Sequence, residues 1–168
     1  KIHDIFAGAG IARSFHTDDN LDGLRLTLAR MKEMTAGLLF VNLVDFDMKY
    51  GHRNDAAGYA EALMEADEYV GRMLDRLRPE DLLLITADHG CDPLFTGTDH
   101  TREYVPLMAW SPSFSGSVNC GTRKTLADLG AGAAAWLKLP APLHGQSFLN
   151  PGQGPGSRAG APSEGDTI

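Results

Sequence analysis

The feature that most constrains the fold is an alternation of two kinds of segment along the chain. Segments with apolar residues every three or four positions predict amphipathic helices, and continuous apolar runs are typical of strands covered by helices on both faces. The predicted helices cover about 19–34, 54–77 and 126–137. The predicted strands cover 37–44, 81–86 and 104–110. This alternation predicts an α/β fold with a mainly parallel sheet and helices on both faces.

The ends of the first two helices carry recognisable signals. Asp18 or Asp19 is expected to cap the first helix and Asn54 the second, since their side chains accept bonds from first-turn amides. Pro79 is expected to end the second, because the residue before a proline avoids helical geometry. The inward face of that helix is predicted to carry Tyr59, Leu63, Ala66, Val70, Met73 and Leu77.

Composition narrows the domain organisation and the class of partner. A chain of 168 residues suits one domain, and its last 18 residues are so rich in Gly and Pro that we predict a disordered tail. We therefore divide the chain into a core at 1–140 and a tail at 141–168. The net charge of −7 without a basic run argues against nucleic acid or an anionic membrane surface as a partner.

Membrane insertion and disulfide bonding are also not expected. The longest apolar run, Leu38 to Val44, is far shorter than the ~20 residues that a membrane-spanning helix needs. The two cysteines are too few for a disulfide scaffold and suit the reducing cytoplasm. The first residue is Lys1 rather than Met, so we expect either a removed leader or a piece of a longer protein.

Histidines and carboxylates cluster where the predicted strands end, the edge at which open α/β sheets bind ligands. The candidate ligands are Asp47, His52, Asp88, His89 and His100. Mixed imidazole and carboxylate ligation suits Zn²⁺, Mn²⁺ or Fe²⁺ better than Ca²⁺. Adjacent residues at a strand end point to opposite sides, so Asp88 and His89 favour two ions, or one ion and a substrate. Paired ions are typical of phosphoryl transfer.

Each of these features also has an ordinary structural interpretation. A strand-end Asp often caps a turn, and Gly51 and Gly90 are common turn residues. Arg102 and Arg123 could each hold a phosphate or simply pair with a nearby carboxylate. Cys91 is best explained as a small buried apolar residue. No function is assigned to the remaining histidines His3, His16 and His144.

Three strings together resemble the phosphopentomutase family of the alkaline phosphatase superfamily. They are KIHDIFAGAGI, NLVDFDMKYGHR and LLLITADHGCDPLFTGTDHTREYVP, and the resemblance spans roughly residues 1–138. It implies an alkaline phosphatase-like core and two divalent cations, typically Mn²⁺. It further implies that Asp47, His52 and His100 bind one cation and that Asp88 and His89 bind the other.

The implied reaction interconverts α-D-ribose 1-phosphate, or its deoxyribose form, with the 5-phosphate through a phosphothreonine and a bisphosphate intermediate. The family carries its nucleophilic threonine, an early Asp ligand and a cap domain before the stretch that corresponds to Lys1. We therefore expect an incomplete, C-terminal part of the catalytic core, inactive alone, with the missing N-terminal segment as a possible partner. Thr86, Thr98 and Thr101 are not assigned as nucleophiles, and Lys1 and Arg102 receive no role.

Two rival interpretations remain open from the sequence. Within the superfamily, the protein could be a phosphatase, a phosphodiesterase or a phosphoglycerate mutase. From a different class, it could be a non-catalytic remnant that binds a metal or a partner. An unpaired sheet edge would favour self-association in that case.

Overall fold

The computed structural model of the chain describes residues 1–149, which divide into two units. The first unit comprises Lys1–Arg76 and His89–Val105, and the second comprises Leu77–Asp88 and the chain from Pro106 onward. The division into one core at 1–140 and a tail at 141–168 stays a prediction. The disorder predicted for 151–168 lies outside the described residues.

The first unit is built on two helices whose facing sides form its core. A single turn, α1, spans Ile2–Ile5, and the two long helices are α2 at Asn20–Glu33 and α3 at Ala56–Leu74. Leu24 and Leu28 of α2 are buried against Tyr69 and Met73 of α3. No helix within residues 1–149 is long and apolar enough to cross a membrane.

The helix boundaries confirm the predicted cap at Asp19, whereas three predictions for the second helix are wrong. Pro79 was expected to end that helix, but α3 already ends at Leu74 with Asp75 as its C-cap, so Leu77 lies outside it. Asp19 caps α2, accepting a bond from the Asp22 amide at 2.8 Å. The cap of α3 is Asp55, whose carboxylate accepts from the Gly58 amide at 2.9 Å. Asn54 was predicted there, but its backbone is left-handed with φ of 54°. Leu63, predicted to face inward, is 51% exposed, because the buried face of α3 carries residues further along the helix.

The second unit contains the sheet and the last helix. Strands β1 (Leu83–Thr86) and β2 (Leu107–Trp110) pair with Leu83 opposite Trp110 and Thr86 opposite Leu107. Helix α4 follows at Ala127–Trp136, and its Trp136 indole donates to the Glu80 carbonyl at 2.8 Å. Phe148 is buried and lies where a side chain at Gly132 would fall. Contacts of α4 thus reach into 141–149, which the sequence analysis assigned to the tail.

The α/β class is as predicted, but the sheet differs from the prediction. Within residues 1–149 the one sheet has two strands and is antiparallel. The reason is in the connection: 87–106 contains no helix to return the chain for parallel pairing. The run at 37–44 forms no strand among the described residues, because a strand requires a paired neighbour. Its Leu43 packs instead against the α2–α3 core.

Candidate metal centre

Two consecutive turns in the first unit place an aspartate and a histidine side by side. Phe46–Tyr50 forms one π-helical turn, and Gly51–Arg53 continues it as a 3₁₀ turn. Hydrogen bonds of a π turn join residues five apart, and His52 follows Asp47 by five residues, in the 3₁₀ turn that continues the π turn. Asp47 Oδ1 consequently lies 3.3 Å from His52 Nε2. This local geometry accounts for a ligand pair that ordinary helical spacing would separate.

A backbone bridge brings a second pair of histidines together. Thr101 N donates to the Gly90 carbonyl at 3.1 Å, and the Asp92 amide donates to Thr101 Oγ1 at 2.8 Å. Because the bridge holds the two chain segments side by side, the rings of His89 and His100 stack at 3.6 Å between centroids. A Cβ at Gly90 would lie 2.7 Å from the Thr101 carbonyl oxygen, so the bridge requires glycine there.

The two pairs converge on a single carboxylate oxygen. Asp47 Oδ1 lies 3.3 Å from His52 Nε2, 3.5 Å from His100 Nε2 and 4.0 Å from His89 Nε2. The coordinating atoms of Asp47, His89 and His100 lie within 4.8 Å of one another. Among the described residues, no donor bonds to Asp47 Oδ1, although that atom is buried. A buried carboxylate oxygen without a donor is costly unless a cation neutralises it.

Backbone carbonyls orient two of the imidazoles. His52 Nδ1 contacts the Thr98 carbonyl, and His89 Nδ1 lies 3.1 Å from the Gly90 carbonyl. A carbonyl oxygen only accepts, so each Nδ1 is the donor, and Nε2 is the ring nitrogen left to bind a cation. Both Nε2 atoms are the ones that face Asp47. This is the arrangement by which metal-binding histidines are held in position.

A partly buried thiol packs beneath these turns. A Cβ at Gly51 would lie 2.1 Å from Cys91 Sγ, so the 3₁₀ turn and the thiol are in close contact. Burial raises the pKa of Cys91, and the charges of Asp47, Glu103 and Asp92 raise it further. Burial likewise raises the pKa of Tyr59. Cys91 therefore packs as a neutral thiol, although it is partly buried rather than fully buried as the sequence interpretation expected.

One asparagine joins the two chain segments that carry the histidines. Asn54 Nδ2 donates to the carbonyls of Phe95 at 3.0 Å and Pro93 at 3.3 Å. Its left-handed backbone directs the side chain to this loop, and asparagine adopts that conformation more readily than most residues. The sequence analysis missed this role, although an Asn directly before a capping Asp was a usable signal.

The predicted ligands are divided between the units. The first unit brings together Asp47, His52, His89 and His100, and their mixed oxygen and nitrogen donors fit a divalent transition-metal ion. Asp88 belongs to the second unit, and its role as a ligand stays a prediction. No phosphate-binding residue is assigned either. Arg102, one candidate from the sequence, is exposed.

Arg123 has an ordinary structural partner. Its Nε donates to Asp128 at 2.8 Å within the second unit. The same guanidinium donates to the Gln146 carbonyl at 3.2 Å. Of the two interpretations that the sequence left open for Arg123, pairing with a nearby carboxylate is the one that the structure contains.

Comparison with known proteins defines the class to which this fold and site belong. Residues 5–141 match the metalloenzyme superfamily, so the chain belongs to that superfamily and is expected to use a divalent metal. Among curated relatives it is similar to the phosphopentomutase of Acetivibrio thermocellus, 54% identical over 149 residues. The phosphopentomutase of Caldanaerobacter subterraneus subsp. tengcongensis is 55% identical over 150 residues. Each alignment covers 89% of this chain but 38% of the relative.

Proposed function

We propose that this chain supplies the metal-binding part of a phosphopentomutase, an isomerase that interconverts α-D-ribose 1-phosphate, or its deoxyribose form, with the 5-phosphate. The observation that carries the proposal is the cluster of three imidazoles around Asp47 Oδ1, a buried oxygen that receives no hydrogen bond among the described residues. The cluster lies in a chain about half identical to enzymes of that name. The reducing cytoplasm is the setting that its cysteine content favours.

The side chains of this unit would act by holding a cation, with Mn²⁺ as the proposed metal. Asp47, His52 and His100 are proposed to bind one ion, and His89 is proposed to join Asp88 at a second. When bound, such ions neutralise charge on phosphoryl oxygens and lower the pKa of an attacking hydroxyl. The protein's own contribution is orientation, because the Thr98 and Gly90 carbonyls hold His52 and His89 with their Nε2 atoms toward Asp47.

Direct binding measurements test the metal assignment. Titration of the 168-residue chain with Mn²⁺, followed by the electron paramagnetic resonance signal of free Mn²⁺, should show saturable binding. His100→Ala should weaken binding strongly, because it removes one of the imidazoles beside Asp47. The matched control is His16→Ala, since the side chain of His16 is 92% exposed. Equal binding by all three proteins would contradict the assignment.

The reaction is tested in the complete gene product that contains these residues. Phosphorus NMR should show ribose 1-phosphate converting to the 5-phosphate with Mn²⁺ present, and His100→Ala should abolish conversion. Release of inorganic phosphate without isomerisation would replace the proposal with a hydrolase. Metal binding without either reaction would favour a non-catalytic protein.

A further inference from the structure

A reciprocal pair of hydrogen bonds joins the start of α2 to the segment that carries Asp47. The Asn20 amide donates to Asp45 Oδ2 at 3.0 Å, and the Asp45 amide donates to Asn20 Oδ1 at 2.9 Å. The two residues are 25 positions apart, so each fixes the other's backbone across the unit. Lys49 Nζ also donates to Asp45 Oδ2 at 2.9 Å.

Asn20 is buried and Asp45 is partly buried, and the two have different reasons to be polar. Asn20 is 6% exposed, and its Nδ2 is buried without a partner among the described residues. Leaving that donor unsatisfied costs stability, so the benefit of asparagine at this position comes from its Oδ1. The Asp45 carboxylate bonds a first-turn amide of α2, which has no acceptor inside the helix.

The chain leads directly from this pair into the metal centre. The Val44 carbonyl accepts from the Asp47 amide at 3.2 Å and from the Met48 amide at 2.9 Å, so the backbone around Asp45 is the start of the turn that carries Asp47. Nothing bonds Asp47 Oδ1 from the protein side among the described residues. The Asp47 carboxylate is thus carried by a turn whose backbone begins at Asp45.

We propose that Asn20 and Asp45 are positioning residues of the metal centre, which anchor the turn bearing Asp47 to the first turn of α2. The proposal rests on the proposed function of the Asp47 cluster. It adds that metal affinity depends on two residues that do not themselves bind the ion.

Paired variants separate positioning from general stability. Asn20→Ala and Asp45→Ala should each weaken Mn²⁺ binding about tenfold, as expected for residues that hold a metal ligand in place. Asp19→Ala is the matched control, because it removes a cap from the same helix end without touching Asp45. It should reduce the free energy of unfolding by about 1 kcal/mol and leave Mn²⁺ affinity unchanged. Affinity is measured where circular dichroism shows each variant folded.

A conservative substitution supplies a second measurement. Asp45→Asn keeps a side-chain oxygen that accepts from the Asn20 amide, so its Mn²⁺ affinity should stay close to that of the unsubstituted chain. If Asn20→Ala does not fold, the difference in Mn²⁺ affinity between Asp45→Ala and Asp45→Asn tests the positioning role. Unchanged Mn²⁺ affinity in Asp45→Ala, or an equal loss of affinity in Asp19→Ala, would overturn this inference but not the proposed function. No Mn²⁺ binding by the unsubstituted chain would overturn the proposed function and this inference with it.

Discussion

Two carboxylates, one in each unit, have opposite surroundings. Asp128 is 5% exposed and receives donors on both oxygens, from the Gln146 amide and from Arg123, each at 2.8 Å. These bonds, the one from the Gln146 amide first, hold the pKa of Asp128 below its usual range. Asp47 Oδ1 is also buried, but no donor bonds to it among residues 1–149.

The difference separates a structural carboxylate from a ligand. Asp128 has its full set of partners within the second unit, so its charge stabilises the fold as it stands. Asp47 Oδ1 faces the Nε2 atoms of three imidazoles, and this combination of nitrogen and oxygen atoms suits a divalent cation. The predictions below test this difference, beginning with the largest expected effect.

Asp47→Asn should weaken Mn²⁺ binding strongly without lowering the stability of the metal-free protein. Loss of the charged ligand is expected to weaken Mn²⁺ binding at least about a hundredfold, more than the loss of a residue that merely orients a ligand. Without metal at pH 8, the variant should be as stable as the unsubstituted chain or more so, because a buried charge without a donor has been removed. Calorimetric titration and urea unfolding measure the two effects.

The contrary outcome is specific. A clear fall in metal-free stability on Asp47→Asn would mean that the carboxylate already has favourable partners. Asp47 would then belong with Asp128 as a structural residue, and the contrast between the two carboxylates would be lost.

Asp128→Asn should have the reverse pattern. It leaves the Arg123 guanidinium without its anionic partner at a nearly buried position, so urea unfolding should show a clear loss of stability. Mn²⁺ binding by the folded protein should be unchanged. The control is Asp81→Asn, whose carboxylate is more exposed and should matter less. An Asp128→Asn protein as stable as the parent would show that the pair contributes nothing.

The parts of this fold that could be predicted from the sequence are the parts set by near neighbours. The spacing of Leu24 and Leu28 and the cap at Asp19 are local signals, and α2 has both where they were expected. The antiparallel sheet was not predicted, although the absence of helical periodicity between the two apolar runs pointed to it.

The types of residue that form the site could be predicted from the sequence, but their convergence in space could not. The convergence of His89 and His100 depends on the Gly90–Thr101 bridge, and the position of Asp47 depends on Asn20, 27 residues earlier in the chain. Neither contact follows a helical or strand period, because each joins two separate segments of the chain. Periodicity therefore identified the core helices, while the geometry of the site required the folded structure.

Gly51→Ala tests how tightly the ligand-bearing turns are packed. The added Cβ would lie 2.1 Å from Cys91 Sγ, so we expect a loss of about 1–3 kcal/mol in the free energy of unfolding. Cys91→Ala in the same protein should recover part of that loss, because it removes the clashing sulfur. Gly71→Ala is the matched control: a Cβ there meets nothing within 4 Å, and the change should stabilise α3 by about 0.5–1 kcal/mol. Additive effects at 51 and 91 would contradict the contact.

The smallest expected effect is the pH dependence of a partnered carboxylate near the surface. Arg78 donates to both oxygens of Asp81, at 2.9 and 2.8 Å, and these side-chain bonds lower the pKa of Asp81. A lowered pKa gives stability that is present above the ordinary carboxyl pKa of about 4 and is lost as the pH falls through the folded value. Since Arg78 is half exposed, solvent screening limits the contribution to about 1 kcal/mol or less.

Urea unfolding of the parent and Asp81→Asn between pH 3 and pH 7 measures this contribution. The parent should be the more stable protein at pH 7, and the difference should shrink as the pH falls below the ordinary carboxyl pKa of about 4 toward the lowered folded value. Asp47→Asn should give no such advantage to the parent at neutral pH, because its carboxylate oxygen lacks a donor. A difference for Asp81→Asn that grows as the pH falls would mean that Arg78 does not stabilise the charged carboxylate.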